Sequence, residues 1–207
     1  MKVNREKVVQ AALELLDEVG LEQLTLRLIG NRLKVQPATI YWHFKDKQAL
    51  IDEMATFVLA EGARHLLPSR SSSDPLAWAS TYGHGLRRTL LARRDGARMV
   101  SGTRLTNTLY MQTVEQIAAH LVASGYTVRQ AVVLLSTIYN YTLSFVAEEQ
   151  AVFPRPGERS PQYDIARRNA HLDAQQFPLL RQAGSILFDR FDRRYKEGLD
   201  LILRGAQ

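Results

Sequence analysis

Cysteine is absent from this 207-residue chain, which excludes disulfides and thiolate metal sites and sets the expectation of a reducing compartment, the cytoplasm. No stretch approaches the roughly 18 uninterrupted apolar residues of a membrane span, and the amino terminus, MKVNREKVV, lacks the apolar run of a signal peptide. No membrane partner is therefore expected. There is no β-alternation, no hairpin signal and no internal repeat. Nor is there a glycine-rich phosphate loop, a nucleophile with a base at useful spacing, or a metal-ligand cluster; His65, His84, His120 and His171 are scattered. No catalytic residue, metal site or cofactor is expected. What is present is helical patterning throughout and a net charge of +6. Residues 1–47 hold eight Lys/Arg against six Asp/Glu, so charge favours a polyanionic partner only weakly, and the arrangement of residues has to carry that reading.

The informative stretch is Thr25 to Lys47, TLRLIGNRLKVQPATIYWHFKDK. It predicts a short helix with Leu26, Ile29 and Leu33 as apolar positions, a tight break at Lys34-Val35, and a second short helix from Pro37 to Phe44. Helices this short must pack on neighbours. In the second, Ile40 and Phe44 already supply the apolar stripe, which leaves Thr39, Tyr41, Trp42 and His43 to face elsewhere. Cations flank them at Arg27, Lys45 and Lys47. This is the layout of a helix-turn-helix with a recognition helix for the major groove of double-stranded DNA. The alternative, Tyr41 and Trp42 as core aromatics of a small bundle, stays open at this point.

Local signals place the remaining elements. Asn4 is an N-cap, and Val8, Ala12, Leu15, Leu16 and Val19 keep one face of a first helix inward. Gly20 is placed to end that helix in the left-handed conformation. Glycine is common in the turn of such motifs; lysine takes a left-handed position only at some cost, so Lys34-Val35 predicts a turn of different shape. Asp46 caps a long fourth helix, a polar linker follows at 69–74, and Asp74-Pro75 opens the next helix. A broken segment spans 94–104. Helices follow at 108–124, from Thr127 with a capping box to Gln130, from Pro178, and at about 192–204. The tract 150–163, with three prolines and a glycine, predicts a loop.

The helices at 128–149 and 185–204 offer more apolar surface than one bundle face requires, so a homodimer is expected, providing two recognition helices for two half-sites. Polar groups among apolar ones at Tyr82, His84, Thr103, Arg104, Gln116, Asn140 and Tyr141 could converge to orient a small molecule.

The run of a helix, TLRLIGNRL and QPATIYWHFKDKQAL resembles the DNA-binding domain of the TetR family of bacterial transcriptional repressors. LLARRDGAR with GTR at 102–104, TLSFVAEEQ, FPLLRQAG and EGLDLILRG are similar to the subgroup sharing the effector domain of the tetracycline repressor. The resemblance implies an all-α architecture: an N-terminal three-helix helix-turn-helix DNA-binding domain at 1–47, a connecting helix at 48–67 and a C-terminal helical ligand-binding and dimerisation domain at 68–207. It implies a homodimer on a palindromic operator, released by a small-molecule effector. Carried over by position, Arg27, Ala38, Thr39, Tyr41, Trp42, His43 and Lys47 would contact DNA; Pro37 stands where the tetracycline repressor has an adenine-reading glutamine. Tyr82, Leu86, Val100, Thr103, Arg104, Gln116, Asn140 and Leu180 form the implied effector set, Leu180 approaching from the other subunit. Val100 replaces a metal-ligating histidine and Glu148 alone is not a site, so a ligand other than magnesium-tetracycline is expected. A constitutive or architectural DNA binder and, at greater distance, an all-helical enzyme are the other readings.

Overall fold

A computed structural model describes residues 3–67, 73–105 and 108–206, and every regular element among them is helical. Only Arg155 and Glu158 form an isolated antiparallel bridge. Of the polar linker expected at 69–74, residues 69–72 lie outside the described residues.

Helix α1 (Arg5–Val19) begins where Asn4 Oδ1 accepts from the Lys7 amide at 3.0 Å, and it buries Val8, Ala12, Leu15 and Leu16 on one face. Gly20 ends it at φ 82°, ψ 168°. The positive φ was expected, but the conformation is not the left-handed helical one: the chain swings out into an extended arm, and a Cβ on Gly20 would sit 3.0 Å from the Asp95 carboxylate. Helices α2 (Leu26–Leu33), α3 (Pro37–His43) and α4 (Lys47–Gly62) follow; Thr25 and Asp46 cap α2 and α4 through the amides of Leu28 and Ala49. A 3-10 turn at Ala63–His65 closes α4.

After Asp74 and its following proline come α5 (Pro75–Leu91), the single-turn-and-a-half α6 (Gly96–Val100) and α7 (Thr108–Ala123). The capping box of Thr127 and Gln130 opens α8 (Val128–Val152), which runs three residues beyond 149 into the tract expected to be loop. The reason is Gln150, whose side chain is buried against the turn between α5 and α6. Beyond the loop and a 3-10 turn at Pro161–Tyr163, α9 (Ile165–Ala170) forms in the charged stretch, too short for apolar periodicity to reveal but capped by Asp164 on the Arg167 amide. Helices α10 (Pro178–Asp189) and α11 (Phe191–Arg204) complete the chain.

The core is built on α8, with α5, α6, α7 and α11 packed around it, and α4 reaches from α1 to α5, α6 and α7. Helix α8 is the one described helix long and apolar enough to cross a membrane; here that apolarity packs against four neighbours. Residual apolar surface lies at Val128, Val132 and Val133 on α8, Leu179 and Ile186 on α10, and Leu201 on α11, all exposed.

Candidate DNA interface and effector core

The turn between α2 and α3 takes the shape that lysine was expected to avoid. Lys34 sits in the left-handed region at φ 55°, ψ 43°. Its amide donates to the Asn31 carbonyl at 3.2 Å, and that of Val35 to Gly30 at 3.0 Å. These two bonds satisfy two of the four carbonyls left open at the end of α2, those of Gly30 and Asn31, and they offset the modest steric cost of a left-handed non-glycine residue. Pro37 then fixes the first position of α3.

Ile40 and Phe44 are fully buried, whereas Tyr41 is 56% and Trp42 83% exposed. That exposure decides against the core-aromatic alternative. An indole exposed beside a phenol, on a helix whose buried stripe is already complete, is open to a partner with an apolar or polar face. Ala38 is exposed beside them, Thr39 and His43 are half-buried, and Arg27 is exposed on α2. The Trp42 and His43 rings meet edge to face at 5.0 Å. The face is held rigidly from behind by Arg5, a residue with no sequence signal of its own. Its guanidinium donates to the His43 carbonyl at 2.9 Å, pairs with Glu53 at 2.8 Å and lies 4.4 Å over the Phe44 ring. Lys47 departs from the set: its ammonium donates to the Leu21 carbonyl at 2.9 Å and is half-buried, a strut between α4 and the α1–α2 turn in this state.

In the second part, Tyr82, Leu86 and Val100 lie together in the buried core. The Tyr82 hydroxyl meets that of Tyr110 at 3.0 Å. Thr142 donates its one hydroxyl proton to the Ile138 carbonyl at 2.7 Å, so at 2.8 Å it is Tyr195 that donates to Thr142. Burial pushes the phenols of Tyr82, Tyr110 and Tyr139 above the usual tyrosine range, and that of Tyr195 up to about 12. They are neutral donors across physiological pH. Thr103 is half-buried with its hydroxyl on the Val100 carbonyl at 2.7 Å; Arg104 is exposed with its amide 3.3 Å from Asp52. Gln116, Asn140 and Leu180 are exposed on three different helices, so within one chain they do not join Tyr82, Leu86 and Val100. Tyr110 and Tyr195 are buried phenols that the sequence did not single out, and Tyr139 is a half-buried one beside them; phenols at an inward register of an amphipathic helix were the available signal.

The two parts meet through a clasp that the sequence did not announce. Both Asp17 oxygens are used, one by the Arg93 guanidinium at 2.8 Å and one by the Arg94 amide at 3.0 Å. Asp95, itself at φ 54°, accepts from the Leu21 amide at 2.9 Å. Arg98 pairs with Glu22 at 2.9 Å. Behind the clasp, Gln150 accepts from the Ala97 amide and donates to the Arg93 carbonyl, hanging the α5–α6 turn on α8. Among the described residues no group of three His, Asp or Glu side chains gathers as a metal site.

The sequence pattern described as "Bacterial regulatory proteins, tetR family" matches residues 8–54, and that described as "Tetracyclin repressor-like, C-terminal domain" matches 72–207. Tetracycline repressor protein class A from transposon 1721 of Escherichia coli is 36% identical over 209 residues, covering 99% of this chain and 90% of that protein. A crystal structure of a possible TetR family transcriptional regulator from Streptomyces coelicolor A3(2) superposes with a TM-score of 0.86 at 30% identity, covering 98% of both chains. A TetR variant from Acinetobacter baumannii AYE in complex with minocycline gives 0.75 at 32% identity, covering 99% of this chain and 96% of that one.

Proposed function

The chain belongs to the tetR family of bacterial regulatory proteins, and from that premise we propose that it is a homodimeric repressor of transcription, bound to a palindromic operator and released by a small molecule. The observation that carries this reading is the exposed Tyr41-Trp42 pair on a helix whose buried stripe is already complete with Ile40 and Phe44. Residues 1–47 form the DNA-binding unit, 48–67 the connecting helix and 68–207 the effector-binding and dimerisation unit. Arg27 suits a bidentate contact to guanine and Ala38 a thymine methyl. Thr39, Tyr41 and His43 suit phosphates, with Trp42 packing on the backbone. Lys47 joins them once its strut to Leu21 is given up. The apolar faces of α8, α10 and α11 suit the second copy. The place of action is the cytoplasm, with the operator.

The effector is read as an uncharged, acceptor-bearing molecule that opens the core around Tyr82, Leu86 and Val100 and takes the phenol donors in place of their bonds to one another. Thr103, bonded to the Val100 carbonyl, and Arg104 stand at its way in; Gln116, Asn140 and Leu180, which do not join this core within one chain, are assigned to the pocket only through the second copy. Val100 has no metal-binding atom, which supports a ligand held without magnesium. Because Val100 ends α6, and α6 abuts α4 and the clasp, opening the core displaces the elements that set the DNA-binding unit. A ligand that prefers the displaced arrangement lowers operator affinity by its differential affinity for the two states.

The test is selection of operator sequences from random duplex DNA, with the protein alone and with a panel of aromatic compounds added. A palindrome that is enriched and then lost with one compound is the expected result. In parallel, Tyr41→Ala should lose the enriched sequence while remaining a folded dimer; undiminished binding by that variant would count against the recognition-helix assignment.

A further inference from the structure

At the junction of the two parts lies a cavity of about 640 Å³, separate from the tyrosine-lined core and within the size range of small-molecule sites. Its apolar wall is Leu91, Phe153, Pro154 and Pro156. Its floor is the clasp, since Asp17 of α1 faces Arg93 and Arg94 of the α5–α6 turn across it. Asp17 thus closes one side of the cavity while α1 is docked on that turn.

The charges around it are unequally matched. The carboxylates are consumed: Asp17 by Arg93 and the Arg94 amide, Glu149 by a two-bond pair with Arg87 at 2.7 and 3.0 Å. Two guanidinium groups are not. Arg94 and Arg155, from opposite walls, both donate to one neutral acceptor, the Glu18 carbonyl, at 2.7 and 3.2 Å. The nearest acid to Arg155 is Glu158 at 3.6 Å, and both of that pair are more than half exposed, so it is a weak neutraliser. Two cations share a carbonyl beside two prolines and the Phe153 ring, over which Arg159 already lies at 4.8 Å and against which Phe191 packs edge to face; the lining leaves one deficit, a negative charge, and an apolar wall of the prolines, Leu91 and the part of Phe153 that faces the cavity.

We infer that this junction cavity binds a small aromatic carboxylate, its carboxylate bridging Arg94 and Arg155 and its ring lying on Phe153 and the two prolines, so that occupancy holds the DNA-binding unit in the clasped orientation. Guanidinium is the group suited to paired recognition of a planar carboxylate. Since the site spans both parts, its ligand and the operator are linked: whichever arrangement the operator prefers, the ligand shifts operator affinity, and operator shifts ligand affinity by the same factor.

The probe is 2-naphthoate, with the neutral 2-naphthamide as its control, titrated into the full-length protein by calorimetry and by amide NMR. Expected are shifts at Leu91, Ala92 and Gly157, binding at least about tenfold tighter than the amide, and a loss of about tenfold or more in Arg155→Gln. Arg155 is an exposed loop residue, so that variant folds. Operator affinity should respond to naphthoate in the natural protein and not in Arg155→Gln. Equal binding of acid and amide, undiminished affinity in Arg155→Gln, shifts confined to the Leu86–Val100 core, or no binding at millimolar naphthoate would each overturn the inference. The binding arms involve no DNA, so they stand apart from the repressor reading.

Discussion

Gly62→Ala sets two effects of known size against each other. Gly62 is the last residue of α4, at φ −70° and ψ −21°, a conformation alanine adopts freely. On helix propensity alone the change would stabilise by up to about 1 kcal/mol. The new Cβ, however, would lie 2.2 Å from Thr89 Oγ1, 2.4 Å from its Cγ2 and 2.8 Å from its Cβ. Rotating the buried Thr89 side chain, whose hydroxyl donates to the Gly85 carbonyl at 2.9 Å, cannot move its Cβ away. Helices α4 and α5 must part instead. Overpacking costs about 1–3 kcal/mol, and three such overlaps place this site at the upper end. The net is a destabilisation of about 2 kcal/mol, a fall of about 4–8 °C in Tm for a chain of this length. Calorimetry reads the first consequence. Operator binding by fluorescence anisotropy reads the second: α4 carries the DNA-binding helices, so affinity should drop about tenfold or more while the variant is still folded. Adding Thr89→Ala removes the two nearest atoms and should restore more than half of both losses. A stabilised Gly62→Ala would refute the packing claim, and a destabilised variant with natural operator affinity would refute transmission through α4.

Other expectations follow from the same geometry. Arg27→Gln should weaken operator binding by about 10- to 100-fold and relax preference at one base pair per half-site, as read by binding to operators varied at each position; a uniform loss over all sequences would make Arg27 a phosphate contact instead. Asp17→Ala removes two bonds of the clasp and should cost about 1–2 kcal/mol, with faster amide hydrogen exchange at Leu21 and Arg94; unchanged exchange at Leu21 would show that the clasp does not hold the junction. For the core phenols, the folded value exceeds the unfolded value of about 10. Their stabilising contribution is therefore whole below pH 10 and lost as pH climbs toward 12. Tyr195 alone, at about 12, should account for roughly 2 kcal/mol of the urea-unfolding free energy lost between pH 9 and 12, and Tyr195→Phe should flatten that part of the profile.

Much of the fold was legible because helix ends are decided locally. Asn4, Thr25, Asp46, Asp74 and Thr127 each cap the helix that the sequence placed after them, since an N-cap needs only a side-chain oxygen and an amide two or three residues on. The exposed aromatic face of α3 was legible for a similar reason: in a seven-residue helix, assigning Ile40 to the core fixes where Tyr41 and Trp42 can point. Short range also set the limit, for α9 has too few residues to display a period, and the end of α8 depended on a glutamine bonded to a distant turn.

What the sequence by itself determined, then, is the series of helices, their buried faces and the exposed aromatic pair, all consequences of spacings within about one turn. Only the tertiary structure decided which residues meet: Tyr82 with Tyr110, Asp17 with Arg93, Arg5 with the end of α3, and Arg94 with Arg155 on one carbonyl. Such contacts depend on how the chain closes over tens of residues, and no local periodicity encodes that closure.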